Sequence, residues 1–142
     1  MNPLDPDKAI IDRLLDAAAV TAITSNLSVN QVPPPEELPY VVIAQDDGTT
    51  ERYLDGGAGL DQHSVVLECC AADMIQAKAL AKACKDALDG QSWDLLDDAD
   101  QVVGRVQGAF CEGTDDDYVP RSENDEETIE IVTFQVELFI GD

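Results

Sequence analysis

The chain has 142 residues, with 30 acids against 8 bases and a formal charge of −22 at neutral pH. So large an excess of carboxylates excludes tight nucleic-acid binding, whose phosphate contacts need Lys and Arg, and docking on an anionic membrane. The 44% of apolar residues falls into helical and strand periodicities, so the chain is a folded domain of ordinary size rather than a disordered acidic polymer.

The first predicted element is a helix. Asp5 suits its cap, Pro6 the first helical position and Asp7 the positive end of the dipole. Ile10, Ile11, Leu14 and Leu15 form one stripe to be buried, with Asp12, Arg13 and Asp16 outside it. A short second turn around Val20–Ile23 follows, then a polar, turn-like Ser25–Gln31 and Val32-Pro33-Pro34-Pro35. Three prolines suit neither helix interior nor central strand, so this run reads as a stiff extended connector.

Tyr40-Val41-Val42-Ile43-Ala44 reads as the first strand. The polar, glycine-rich Thr49–Gln62 is expected to be a long loop, and His63–Ala71 a second strand. The longest helix is predicted from a cap at Asp73 to Leu88, with Gly90 just past its end. Its apolar stripe is Met74, Ala77, Leu80, Ala81, Cys84, Ala87 and Leu88, and Lys78, Lys82 and Lys85 share the opposite face. After an acidic stretch holding Trp93, Asp94, Asp97, Asp98 and Asp100, a third strand covers Val102–Cys111. Gly113–Glu127, with seven acids and one base, is expected to be a second long loop. The last strand is Thr128–Ile140, in which Val132, Phe134, Val136, Leu138 and Ile140 alternate with mostly polar residues.

The expected fold class is therefore α+β: a single domain over residues 1–142, in the order α-β-β-α-β-β. A four-stranded, mainly antiparallel sheet would carry two helices packed on one face.

Chemistry is sparse in the residues. His63 is the sole histidine. No second catalytic group accompanies it, and a structural or surface role is the plainer reading. Trp93 reads as a core or interface anchor. Cys69 and Cys70, adjacent in a strand, should point to opposite faces, and with Cys84 and Cys111 they read as reduced, packed thiols. The carboxylate runs at 97–100 and 115–117 lack the glycine and distant glutamate of a calcium loop, so they read as solvated acids. Gly56-Gly57-Ala58-Gly59 sits between two strands and opens no helix, so it makes no phosphate cradle. No metal, cofactor or catalytic residue is expected, and the reading is of a non-enzyme. The chain lacks a secretory start and an apolar run of membrane-spanning length, so it is expected to stay in the cytoplasm where it is made.

Two features suggest contacts with other subunits. Tyr53, Leu54 and Leu60 are apolar anchors on a glycine-bearing arm with Gly56 and Gly57. They either meet a neighbouring subunit or tuck back onto their own domain. Lys78, Lys82 and Lys85 are either the solvated side of an amphipathic helix or partners for acidic loops of an adjacent copy.

The sequence resembles the tail completion, or tail terminator, proteins of long-tailed bacteriophages. The pieces that carry the resemblance are Leu38-Pro39-Tyr40-Val41-Val42 after a proline-containing connector, Tyr53 to Leu60, and Val65-Val66-Leu67-Glu68-Cys69. The alanine-rich helix Ala77 to Leu88, closed by Asp89-Gly90, and Asp116-Asp117-Tyr118 complete the set. The resemblance implies a virion assembly subunit that forms a hexameric ring. Such a ring binds the head-proximal end of the tail tube, ends tail polymerisation and joins tail to head. Its partners would be further copies of itself, the tail tube protein and a head-completion or portal-side protein. DNA would pass through the lumen without specific binding. Tyr53, Leu54, Gly56, Gly57, Leu60, Lys78, Lys82, Lys85 and Tyr118 are the candidate subunit and tube contacts. Two rival readings remain beside it: a head-completion or neck ring protein, and an acidic DNA-mimicking inhibitor.

Overall fold

The computed structural model of the chain describes residues 5–45, 52–53, 61–120 and 128–141. Helix α1 (Pro6–Asp16) starts with Pro6 at its first position after an extended Asp5, where proline loses no hydrogen bond. Ala9, Ile10 and Leu14 are fully buried, but Leu15 is 45% exposed. The expected stripe is narrower than four residues because Leu15 stands about 140° around the helix from Ile10. A single turn, α2 (Ala18–Thr21), follows and buries Val20.

The segment read as turn-like contains a strand, β1 (Leu27–Val29), which pairs in parallel with β2 (Tyr40–Gln45), Leu27 opposite Val41. The proline run joins them, with one 3-10 turn at Pro35–Glu37. Thr24 ties the two ends together: its hydroxyl donates to the Pro39 carbonyl at 2.8 Å and accepts the Asn26 N–H at 3.0 Å.

Strand β4 (Asp61–Ala71) lies antiparallel to β2, and ahead of it the two-residue β3 (Arg52–Tyr53) pairs with the start of β4, Tyr53 opposite Asp61. The expected Thr49–Gln62 loop is thus partly strand at 52–53 and 61–62, while 49–51 and 54–60 lie outside the described residues. Helix α3 (Met74–Leu88) is capped by Asp73, whose carboxylate accepts the Gln76 N–H at 2.8 Å. Strand β5 (Trp93–Leu96) then pairs with β6 (Val102–Pro120), which pairs along its length with β7 (Thr128–Gly141).

The expected four-stranded sheet with two helices is corrected by this topology. Among the described residues one mixed, curled sheet runs β1-β2-β4-β7-β6-β5, with β3 beside β4 as a seventh strand, and three α-helices accompany it. The added strands have two to four residues each, too few for period-2 alternation to register in a sequence, and they exist because a longer neighbour supplies their hydrogen bonds. The second expected loop is corrected as well. Residues 113–120 continue β6, held by cross-strand partners from Asp115 opposite Thr133 to Pro120 opposite Thr128, while 121–127 lie outside the described residues. The acids there do not break the strand because the pairing bonds are made by the backbone. A register shift between Glu112 and Asp115, with Gly113 at φ +64°, absorbs the irregularity.

The core lies between the helices and one face of the sheet. Ile10, Leu14, Leu80, Cys84 and Leu88 meet Val41, Ile43, Leu67, Phe134, Val136 and Leu138, all completely or almost completely buried. On the other face a smaller cluster gathers Tyr40, Val42, Cys70 and Ile129, with Leu38 and Ile131 against it. The rest of that face has no helix over it among the described residues.

Candidate interaction surfaces

The open face of the sheet carries a row of carboxylates, while the helical side mixes bases with the acids Asp7, Asp12, Asp16 and Asp86. Residues opposite each other on paired strands project to the same face, and Val132, Phe134, Val136 and Leu138 point to the helices. Alternation therefore places Glu137 and Thr133 on the open face. Glu112 (opposite Gln135), Asp115 (opposite Thr133), Asp117 (opposite Ile131) and Glu68 join them there. Gln62 donates to Glu137 at 2.8 Å, and Gln135 bonds Ser64. Phe110 and Phe139 meet edge to face with centroids 5.9 Å apart. The one base on this face whose side chain is described, Arg105, is bound to Asp94 at 2.6 Å. Lys8, Arg13, Lys78, Lys82 and Lys85 all sit on α1 and α3, on the helical side.

The lysines of α3 do not stand clear of their own subunit. Lys78 is 3.6 Å from Asp116, Lys82 pairs with Asp86 at 2.8 Å, and Lys85 bonds the Thr114 hydroxyl with its ammonium 5.2 Å from the Phe134 ring centre. With Ala81 and Val132 they line a groove of about 420 Å³ between α3 and the outer part of β6. Two of the three thus reach acidic or polar groups of their own β6, a partner the sequence concealed because it was read there as a loop. Tyr118 lies farther along the same strand and is 65% exposed. Tyr53 is placed by its backbone in β3, and Leu54, Gly56, Gly57 and Leu60 lie outside the described residues. The structure therefore brings Lys78, Lys82, Lys85 and Tyr118 to one region along α3 and β6.

A second, larger cleft of about 580 Å³ opens between α1 and β5. Leu15, Asp12, Asp16, Asp94 and Asp97 line it around the edge of Trp93, with Lys8 and Arg13 at its side. Trp93 is 9% exposed and belongs to the core; its indole N–H is buried with no hydrogen-bond partner. Sequence reasoning missed this cleft, since only the fold brings α1 beside β5.

Cys69, Cys70 and Cys111 are held protonated. Cys69 is fully buried, and its ionisation is pushed well up, first by its hydrogen bond with Cys84 and then by burial. Burial, with help from Glu68, raises Cys70 to about 12, and burial with Asp89 raises Cys111 to about 12. A thiol that stays protonated at neutral pH is a poor nucleophile. Cys69 and Cys70 do face opposite sides, one in each apolar cluster. His63 is buried on the core side of β4, opposite Leu138. Among the described residues no three His, Cys, Asp or Glu side chains are grouped to hold a metal ion, and no helix is long and apolar enough to cross a membrane.

The family model described as "Tail completion protein gp17" matches residues 8–122, from α1 past the end of β6. The chain belongs to the gp17 tail completion family. It is accordingly a bacteriophage structural protein of the virion tail region, as the resemblance in its sequence implied. Its fold is similar to that of a chain in the virion of a native gene transfer agent particle. There the superposition reaches a TM-score of 0.59 at 23% identity over 94% of either chain. No individual curated protein matches the sequence. Membership in the tail completion family makes assembly with other virion components the setting in which the surfaces described above are to be read.

Proposed function

We propose that this tail completion protein acts as a ring, a hexamer, that caps the head-proximal end of the tail tube. The ring stops further polymerisation and offers the face to which the head joins. It works without a catalytic centre; its partners are further copies, the tube protein and a head-completion or portal-side protein. The family match over residues 8–122 carries this reading.

The carboxylates of the open face supply a mechanism for DNA passage. If the open face of the sheet turns to the lumen, Glu68, Glu112, Asp115, Asp117 and Glu137 repel phosphate from every subunit. DNA then slides through without being held. The lysines of α3 and Tyr118 are the proposed contacts with neighbouring subunits or the tube, and Tyr53, Leu54, Gly56, Gly57 and Leu60, of which all but Tyr53 lie outside the described residues, are proposed to join them.

Purified protein should be mixed with tail tubes and imaged by electron microscopy, with the mass of the free and bound species measured in parallel. The expected result is density at one tube end and tubes that no longer elongate. Binding to portal-side particles but not to tubes would instead identify a neck ring. A monomer with salt-sensitive affinity for a basic enzyme would identify a DNA mimic.

A further inference from the structure

The two edges of the sheet differ sharply in charge. On one side β1 pairs with β2, and among the described residues no strand lies along its outer edge. The chain around it carries no charged residue from position 17 to position 35, where its average of 27% would put about five. Ala18, Ala19, Ala22, Ser25 and Val32 are exposed there, Val32 to 71%. Toward the other side, β5 covers only the first part of β6, and Asp89 accepts the Cys111 N–H at 2.9 Å. From residue 112 onward the outer edge of β6 has no strand beside it among the described residues, and 112–118 are exposed. The Tyr118 N–H is turned onto its neighbour Asp117 at 2.7 Å.

An uncovered strand edge is a template for another strand. Two copies of β6 cannot use it on each other, because Glu112, Asp115, Asp116 and Asp117 would be brought against the same residues, and opposed like charges are destabilising. Two copies of β1 meet over only three residues. A β6 edge against the uncharged β1 edge of another copy opposes no like charges.

We infer that copies of this chain join head to tail, the free edge of β6 in one subunit docking on the uncharged edge formed by β1 and residues 17–35 of the next. Such a contact uses two different surfaces, and repeated contacts of that kind close into rings. The acids of β6 thus have a second role: they forbid symmetric pairing and leave the ring contact as the one permitted. This inference rests on the ring proposed above and assigns the interface that builds it.

Sedimentation velocity and native mass spectrometry on the full chain, with and without tail tubes, provide the test. Wild type should give a closed oligomer. Val32→Glu and Ser28→Glu, each checked for native folding by circular dichroism, should shift it to monomer, while Val102→Glu on an exposed site of β6 should not. Adding Asp117→Lys to Val32→Glu should restore assembly, and a benzophenone amino acid at position 32 should cross-link to residues 112–118 of another copy. A wild-type protein that stays monomeric even on tubes would remove the ring itself. A ring that forms normally with Val32→Glu and Ser28→Glu, or that cross-links elsewhere, would overturn the assigned interface and leave the ring intact.

Discussion

The guanidinium of Arg13 lies 5.3 Å from the centre of the Trp93 ring, while its Nε donates to the Ala87 carbonyl at 2.9 Å. One side chain thereby joins α1, the last turn of α3 and β5, three elements distant in sequence. The carbonyl belongs to the end of α3, where backbone acceptors lack helical partners and a cation is favoured by the dipole.

Replacing Arg13 by alanine should lower stability by about 2 kcal/mol, from the lost charge-assisted bond and the stacking. Lys8→Ala, whose Asp12 pair is an i,i+4 surface contact, should cost under about 0.5 kcal/mol. A double-mutant cycle between Arg13 and Trp93, followed by urea denaturation, measures the stacking share. A coupling indistinguishable from zero would leave the Ala87 bond as the whole effect.

Trp93 offers a second measurement. Its buried N–H without a partner imposes a penalty of about 1–3 kcal/mol. Trp93→Phe removes that group and keeps an aromatic face for Arg13, so it should change stability by less than about 1.5 kcal/mol in either direction. Trp93→Ala should cost about 3–5 kcal/mol. A Trp93→Phe loss clearly above about 1.5 kcal/mol would mean that the indole N–H is satisfied in solution.

Asp73 caps α3 through the Gln76 N–H. Asp73→Ala should cost about 1 kcal/mol, and Asp73→Asn or Asp73→Ser far less, since each keeps an acceptor for the same orphan donor. Thermal denaturation of the three variants resolves the order.

Alkaline pH should destabilise the fold through its thiols. The usual cysteine value is 9.0, and Cys70 and Cys111 are raised to about 12, chiefly by burial. Above pH 9 the unfolded chain gives up these protons while the folded one keeps them. The stabilisation is therefore complete below pH 9 and is lost as pH rises toward 12. Cys70→Ala and Cys111→Ala, compared with wild type in urea at pH 8 and pH 10, should show a shallower fall. Consistent with this, alkylation of the native protein at pH 8 should be much slower than that of the unfolded chain.

Gly113 occupies φ +64° with nothing within 4 Å of where a Cβ would stand. Gly113→Ala should cost about 1–2 kcal/mol from backbone strain alone, with no clash. Gly113→Asn, which tolerates that region, should cost less.

Much of the scaffold could be read from residue order. The periodicity of Met74–Leu88 and the alternation of Thr128–Gly141 each identify an element by its buried face, because burial is what a repeating apolar pattern encodes. Strands β1, β3 and β5 were illegible for the opposite reason: they are short, and their hydrogen bonds are supplied by β2, β4 and β6. The outer part of β6 was hidden by its acids, which describe its side chains' solvent and say nothing of its backbone pairing. Among the candidate contacts, the three lysines were recognisable as a helix face, but that two of them look toward their own Thr114 and Asp116 follows only from the hairpin.

By itself, residue order determined composition-level properties and local ones: the acidic surface, the long helix and its cap, the long central strands, and the tail completion family. The tertiary structure decided which distant residues share a surface. It set a row of carboxylates on the open face, put Arg13 over Trp93, and gave the sheet one acidic and one uncharged edge. Local patterns report what each segment must bury, whereas an edge or a face exists only once separate strands have been ordered beside one another.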